Sequence, residues 1–192
     1  MNSIAQYLNK LEERKLVRSF LKKRDEQAFR SLYRKYTPGV YRLALRLLNG
    51  DEALAEETVQ EGWTRAVQNL PKFRWQSSFR TWLHSIIVHC CQEQFRRKNR
   101  KNCDIDELIG DSDEPAELHG DSIDLENAFN QLPDGYRQVL ILHDLEGYTH
   151  KEIGLLLGVQ PGTSKSQLSQ ARKAMRRYLR PETAGEAGDF YD

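Results

Sequence analysis

The sequence predicts an all-α protein of two small helical domains joined by a flexible acidic linker, the second carrying a helix-turn-helix. Three observations carry this. Apolar residues recur at spacings of three and four along most of the chain, and nowhere do they alternate as a half-buried strand requires. Asp104 to Glu126 holds ten acids and no Lys or Arg, with Gly110, Pro115 and Gly120 and little periodicity, which reads as a linker. Thr149 to Leu179 then sets a capped apolar helix, a glycine turn and a basic second helix in succession.

The bulk numbers agree with small globular domains. The 192 residues are 30% charged and 39% hydrophobic, with a net charge of only +1. The charge is segregated: Gln92–Lys101 has five basic residues against one acid, and Gln160–Arg180 has six and no acid. Local patches of this kind matter more to a polyanionic partner than the sum. No segment approaches the roughly 18 apolar residues of a membrane span. MNSIAQYLNKLEERK lacks the apolar core of a signal peptide, so the expected location is cytoplasmic. Cys90, Cys91 and Cys103 make no disulfide framework, and buried thiols are the plainer reading. There is no convergent acid/base pair, nucleophile motif or metal spacing. The chain is therefore expected not to be an enzyme and to need no cofactor or metal.

Residues 1–24 read as an amphipathic helical extension with Ile4, Leu8, Leu11, Leu16 and Phe20 as apolar positions. Asp25 caps a second helix; Phe29, Leu32, Tyr33 and Tyr36 start its stripe, Pro38 marks a start or kink, and Asn49-Gly50 stops it. Asp51 caps a third, with Ala55, Val59, Trp63, Ala66 and Leu70 facing inward. Its outer face bears Glu57, Gln60 and Glu61, for which solvation is the plain reading. Pro71 ends it. The loop KFRWQSS packs two aromatics, two cations and two hydroxyls into seven residues. Rings interleaved with cations suit single-stranded nucleic acid, because rings stack on bases while cations hold the backbone. Phe79–Lys101 resumes a helix, with Phe79 and Trp82 read as core and Arg80, His84, Arg96 and Arg97 lying elsewhere.

A last domain begins near Asp121 with a short helix over Leu125–Leu132, and Pro133-Asp134 starts another. Thr149 and Glu152 form a capping box, Gly158 suits the positive φ of a helix end, and Pro161 suits the first turn of the next helix. Ser164, Leu168, Ala171, Met175 and Leu179 form the buried stripe of that second helix. Two short helices with a cationic second one are what reading a major groove requires, although a solvated helix of an ordinary bundle shares the pattern.

These residues resemble the extracytoplasmic-function (ECF) sigma factors, the small two-domain class of bacterial sigma subunit. The resemblance covers about residues 25–180. It rests on FRSLYRKYTPGVYRLALRLL, AEETVQEGW and SSFRTWLHSI followed by RRK, then on LPDGYRQVLILHDLEGYTHKEIGLLLGV and GTSKSQLSQARKAM. It implies that 25–101 is a sigma region 2 domain, 102–120 the linker, 121–180 a sigma region 4 domain and 181–192 an acidic tail. It further implies a protein that binds core RNA polymerase, recognises promoter DNA and helps melt it, and that is held in check by an anti-sigma factor. Glu57, Gln60 and Glu61 would dock on the clamp of the largest polymerase subunit, reversing the solvation reading. Lys72, Arg74, Trp75, Ser77, Ser78, Arg80, His84, Arg96 and Arg97 would meet the minus-ten element as it separates. In the recognition helix, Thr163, Ser166, Gln167 and Gln170 would reach base edges of the minus-thirty-five element, and Lys165, Arg172, Lys173 and Arg176 would meet phosphates.

The chain departs from the family pattern in places. The usual GTVKSR reads GTSKSQ, so Ser164 makes a buried position smaller and more polar, and Gln167 replaces a cation. Gly154 stands where Ala is usual and is expected to weaken its helix by about 0.5–1 kcal/mol. The rival class is a stand-alone helix-turn-helix regulator that binds duplex operator without a polymerase.

Overall fold

The computed structural model describes the backbone of residues 2–103 and 125–179 and the side chains of 7–97 and 128–179. The expected linker, the tail, Ile4 and Cys103 lie outside the described side chains. Every described element is helical: α1 (Asn2–Lys23), α2 (Glu26–Leu47), α3 (Glu52–Asn69), α4 (Phe79–Cys103), α5 (Leu125–Asn130), α6 (Asp134–Leu140), α7 (His150–Leu157) and α8 (Pro161–Tyr178). The chain divides into two compact units, the first built on α1–α4 and the second around α5, α6 and α8.

In the first unit α2 packs on α1, α3 and α4, and α3 packs on α4. Leu32, Val40, Leu43 and Leu47 of α2 are buried, as are Val59 and Trp63 of α3 and Phe79, Leu83 and Ile87 of α4. Each such side chain contributes about 1.5–3 kcal/mol of burial. Asp25 caps α2 as expected, accepting from the amides of Gln27 (3.0 Å) and Ala28 (3.2 Å). Pro38 neither starts nor ends α2, which runs through it. Asn49 and Gly50 both take positive φ and turn the chain back. Gly62 matters by what it lacks: a Cβ there would meet Ile87 Cδ1 at 2.3 Å, so its absence lets α3 and α4 approach closely. Arg65 ties the same helices with two 2.7 Å hydrogen bonds to the Glu93 carboxylate.

The register of α1 differs from expectation. Leu8 and Leu11 are exposed, whereas Glu13 and Val17 are buried and Phe20 packs on Phe29 with ring centroids 5.1 Å apart. A buried carboxylate is tolerable only when bonded. Glu13 accepts from Lys35 Nζ at 3.1 Å and from the Tyr36 hydroxyl, so this polar clasp on α2 sets the helix face. Burial and the Glu13 carboxylate raise the Tyr36 pKa far above its ordinary value. Periodicity of apolar residues could not find a face centred on an acid.

In the second unit α8 packs on α6 and α5. Ala128, Phe129, Leu132, Val139, Leu140, Ile141 and Leu142 are buried, as are Leu168, Ala171 and Met175 of α8. Beyond α6 one wide turn, with the Glu146 amide donating to Ile141 O at 3.1 Å, carries the chain to Gly147 at φ +75. The capping box forms: the Glu152 carboxylate accepts from the Thr149 amide (2.8 Å) and hydroxyl (2.7 Å), which hold its pKa below normal. Gly158 has φ +71 and Pro161 opens α8, as the sequence predicts. Of the expected α8 stripe, Leu179 alone is exposed, at 39%.

Candidate nucleic-acid interface

Three surfaces can be compared with the expected residues. On α3, Glu57, Gln60 and Glu61 are all exposed and lie within about one turn. Glu61 accepts from Arg65 Nε at 2.7 Å, so the patch is buttressed by the same arginine that joins α3 to α4. These carboxylate bonds push the Arg65 pKa above even its high ordinary value and keep the Glu93 carboxyl below normal.

The loop between α3 and α4 places Lys72 and Arg74 in solvent and half-buries Trp75. Trp75 is not the unattached ring that its loop position suggests. It lies 4.7 Å from the Phe73 ring, itself stacked on Trp82 at 4.6 Å, and the Arg14 guanidinium sits 5.2 Å from its centroid. Trp75 also holds φ at +59, a strained value for a bulky residue that only a well-packed surround sustains. Ser78 uses its hydroxyl to cap α4, accepting from the Thr81 amide at 3.0 Å. Ser77 is half-buried, and Arg80, Arg96 and Arg97 are exposed. His84 differs from its expected place on the surface. It is 3% exposed, and burial, then the nearby Arg80 charge, lower its pKa to about 4. It is a buried, neutral ring rather than an exposed cation. Spacing along α4 did not reveal this burial, because His84 lies one turn from the exposed Arg80.

Ser78, Arg80 and His84 line an open cleft of about 810 Å³, whose other walls come from α1 and α2 and include Lys10, Lys35 and Arg42. Residue-type patterns in the loop and α4 missed these three cations because they belong to helices far away in sequence.

On α8, Thr163, Lys165, Ser166, Gln170, Lys173 and Arg176 are exposed and available to a groove. Two expected contacts are otherwise engaged. Arg172 makes a bidentate pair with Asp144, Nε to Oδ2 at 2.9 Å and Nη2 to Oδ1 at 2.6 Å, which holds the Asp144 carboxyl below its usual pKa. Gln167 is half-buried on α6, where its Oε1 has no hydrogen-bond partner. Ser164 is fully buried, as expected, and its hydroxyl meets His150 Nδ1 at 3.0 Å. Cys90 and Cys91 are buried, and burial raises both pKa values, so neither is an activated thiol.

A helical unit with a cation-lined cleft and an aromatic loop, followed by a unit with a basic helix-turn-helix, defines a two-module nucleic-acid-binding protein. Residues 32–101 match the family Sigma-70 region 2, and residues 122–175 match Sigma-70, region 4. The chain belongs to the sigma-70 family, in the ECF group of RNA polymerase sigma factors. It is 33% identical over 156 residues to the ECF RNA polymerase sigma factor SigE of Mycolicibacterium smegmatis, a match spanning 77% of this chain and 60% of that protein. It is 29% identical over 177 residues to SigW of Bacillus subtilis, spanning 83% of this chain and 93% of the relative. Among solved structures, the sigma factor RpoE in complex with the anti-sigma factor NepR from Bartonella quintana is similar, with TM-score 0.62 at 25% identity over 79% of this chain and 96% of that one. CnrH in complex with the cytosolic domain of CnrY shares the fold at TM-score 0.58 and 17% identity, covering 88% of this chain and 96% of that one.

Proposed function

We propose that this chain binds core RNA polymerase through Glu57, Gln60 and Glu61, reads the minus-ten element through the α3–α4 loop and α4, and reads the minus-thirty-five element through α8. The carrying observation is that the two cationic surfaces have different chemistry. The first sets the exposed Lys72 and Arg74 in one loop with Phe73 and Trp75, where Phe73 stacks on Trp82, and Arg80 and Arg96 are exposed further along α4. Rings beside cations fit unpaired bases. The second has exposed amides, hydroxyls and cations on a helix opened by Pro161, and no ring among Thr163, Lys165, Ser166, Gln170 and Lys173. That set fits the edges and phosphates of an intact major groove. A chain that meets DNA both paired and unpaired has the equipment to open it.

The chain supplies no chemistry of its own in this reading; the polymerase does. It works in the cytoplasm, and an anti-sigma factor, as bound by the similar RpoE, would act by covering these surfaces. The test is in vitro transcription with purified core polymerase and a library of genomic fragments. Specific initiation that requires this chain supports the reading. Tight operator binding by the chain alone, with no initiation, would instead establish a stand-alone regulator.

A further inference from the structure

We propose that α1 belongs to the nucleic-acid interface: the ridge Lys10, Arg14, Arg18 and Lys22 carries the phosphodiester backbone of single-stranded DNA past Trp75. This rests on reading the first unit as the module that handles separated strands. The four cations recur every fourth residue, so they form one inclined row on the helix surface. Each step advances about 6 Å along the axis, which is close to the phosphate separation of an extended single strand. Lys10 faces the cleft that also holds Arg42 and Arg80. Arg14, Arg18 and Lys22 line a second groove, of about 470 Å³, whose opposite wall is Trp75. The ridge thus joins two cavities into one cationic track with an indole beside it. Cations tracking a backbone, next to a ring on which a base can stack, are what sequence-tolerant single-strand binding uses.

Two further features fix the track in place. Arg14 lies over the Trp75 ring at 5.2 Å, which orients the ring beside the ridge. Glu13, the acid within the ridge's span that faces inward, is bonded by Lys35 and Tyr36, so it anchors the register of α1 rather than opposing a phosphate. Placing the ridge in advance spares the ordering cost that a loose helix would meet on binding.

The triple variant Lys10→Gln, Arg18→Gln, Lys22→Gln tests this, with Arg14 left in place because it holds Trp75. Binding of labelled oligodeoxythymidine and of a labelled duplex is measured against salt, for the free chain and for its complex with core polymerase. Loss of three single-strand phosphate contacts should flatten the slope of log affinity against log salt by roughly 2 on oligodeoxythymidine, and leave duplex binding unchanged. Identical slopes for variant and wild type overturn the proposal. So does an equal loss on single strand and duplex, which would mean general attraction. Loss of core binding by the variant also overturns it, since the ridge would then face the polymerase. If wild type itself fails to bind core polymerase, the reading of the first unit fails separately, and the free-chain slopes still decide the ridge.

Discussion

The Gln167 amide closes on the bare backbone of Gly135: a Cβ at 135 would meet Gln167 Nε2 at 3.0 Å. Helix α8 therefore turns one of its expected base readers onto α6. Gln170, by contrast, is exposed. Gln167→Ala should leave base preferences in the minus-thirty-five element unchanged, whereas Gln170→Ala should shift preference at one position by about 1–3 kcal/mol. The check is competition among randomised elements, with holoenzyme at fixed salt. A preference lost with Gln167→Ala would mean that the side chain swings out on binding.

Gly154 reverses the sign that helix propensity assigns it. A Cβ there would meet Val159 O at 2.7 Å, a backbone atom that cannot turn aside. Gly154→Ala should destabilise, since forced overpacking costs about 1–3 kcal/mol against a propensity gain of up to about 1 kcal/mol. Gly162, in α8 with open space around its Cβ position, is the control. Gly162→Ala should raise Tm while Gly154→Ala lowers it, both read by thermal unfolding. A higher Tm for Gly154→Ala would show that the turn relaxes at little cost.

Much of this was legible in sequence because it depended on local rules. Asp25, Asp51, Thr149 with Glu152, Gly158 and Pro161 act on backbone within a few residues, and each takes its expected place. The exposed patch Glu57, Gln60 and Glu61 was legible for the same reason, being the face opposite a clear apolar stripe. What stayed hidden depended on partners distant in the chain. Glu13 is buried by Lys35 and Tyr36, Trp75 is fixed by Arg14, and Arg172 is engaged by Asp144. Spacing along one helix says which residues share a face, not what that face will meet. The repeat Lys10, Arg14, Arg18, Lys22 went unread among the apolar positions of residues 1–24, and it acquires meaning only once α1 lies against the loop.

Trp75 should matter more to strand opening than to initial binding. Its ring is held by Phe73 and Arg14 and presents a surface beside the cationic track. Trp75→Ala should weaken open complexes by roughly 1–3 kcal/mol per stacked base, with closed-complex binding nearly intact, and Trp75→Phe should restore part of the loss. Permanganate footprinting on a promoter reports the open form. Unchanged thymine reactivity in Trp75→Ala would assign this ring to packing alone.

Glu61→Lys should weaken core-polymerase binding while sparing the fold. Glu61 is an exposed partner of Arg65, and exposed pairs are worth about 0.2–1 kcal/mol. The bidentate bonds from Arg65 to Glu93 remain to join α3 and α4. Helicity by circular dichroism should stay as in wild type while co-purification with core falls. Undiminished co-purification would remove Glu61 from the docking face.

His84 should make the first unit sensitive to mild acid. Its folded pKa is lowered to about 4, chiefly by burial, from an ordinary 6.5. The unfolded chain therefore takes up a proton at higher pH than the folded one. The stabilisation is complete above about pH 6.5 and is lost as pH falls toward 4, by at most about 3 kcal/mol. Asp25, Glu93, Asp144 and Glu152 are carboxyls held below their ordinary pKa values, so their contributions are lost only as pH falls below their unfolded values, near and under 4. His150 is also lowered, but it is less buried and stays in place in the variant. His84→Gln has no proton to gain in this window. Its Tm at neutral pH can lie below that of wild type, but its decline between pH 6.5 and 4.5 should be shallower. Parallel declines for the two proteins would place His84 in contact with water and return it to the surface proposed to meet DNA.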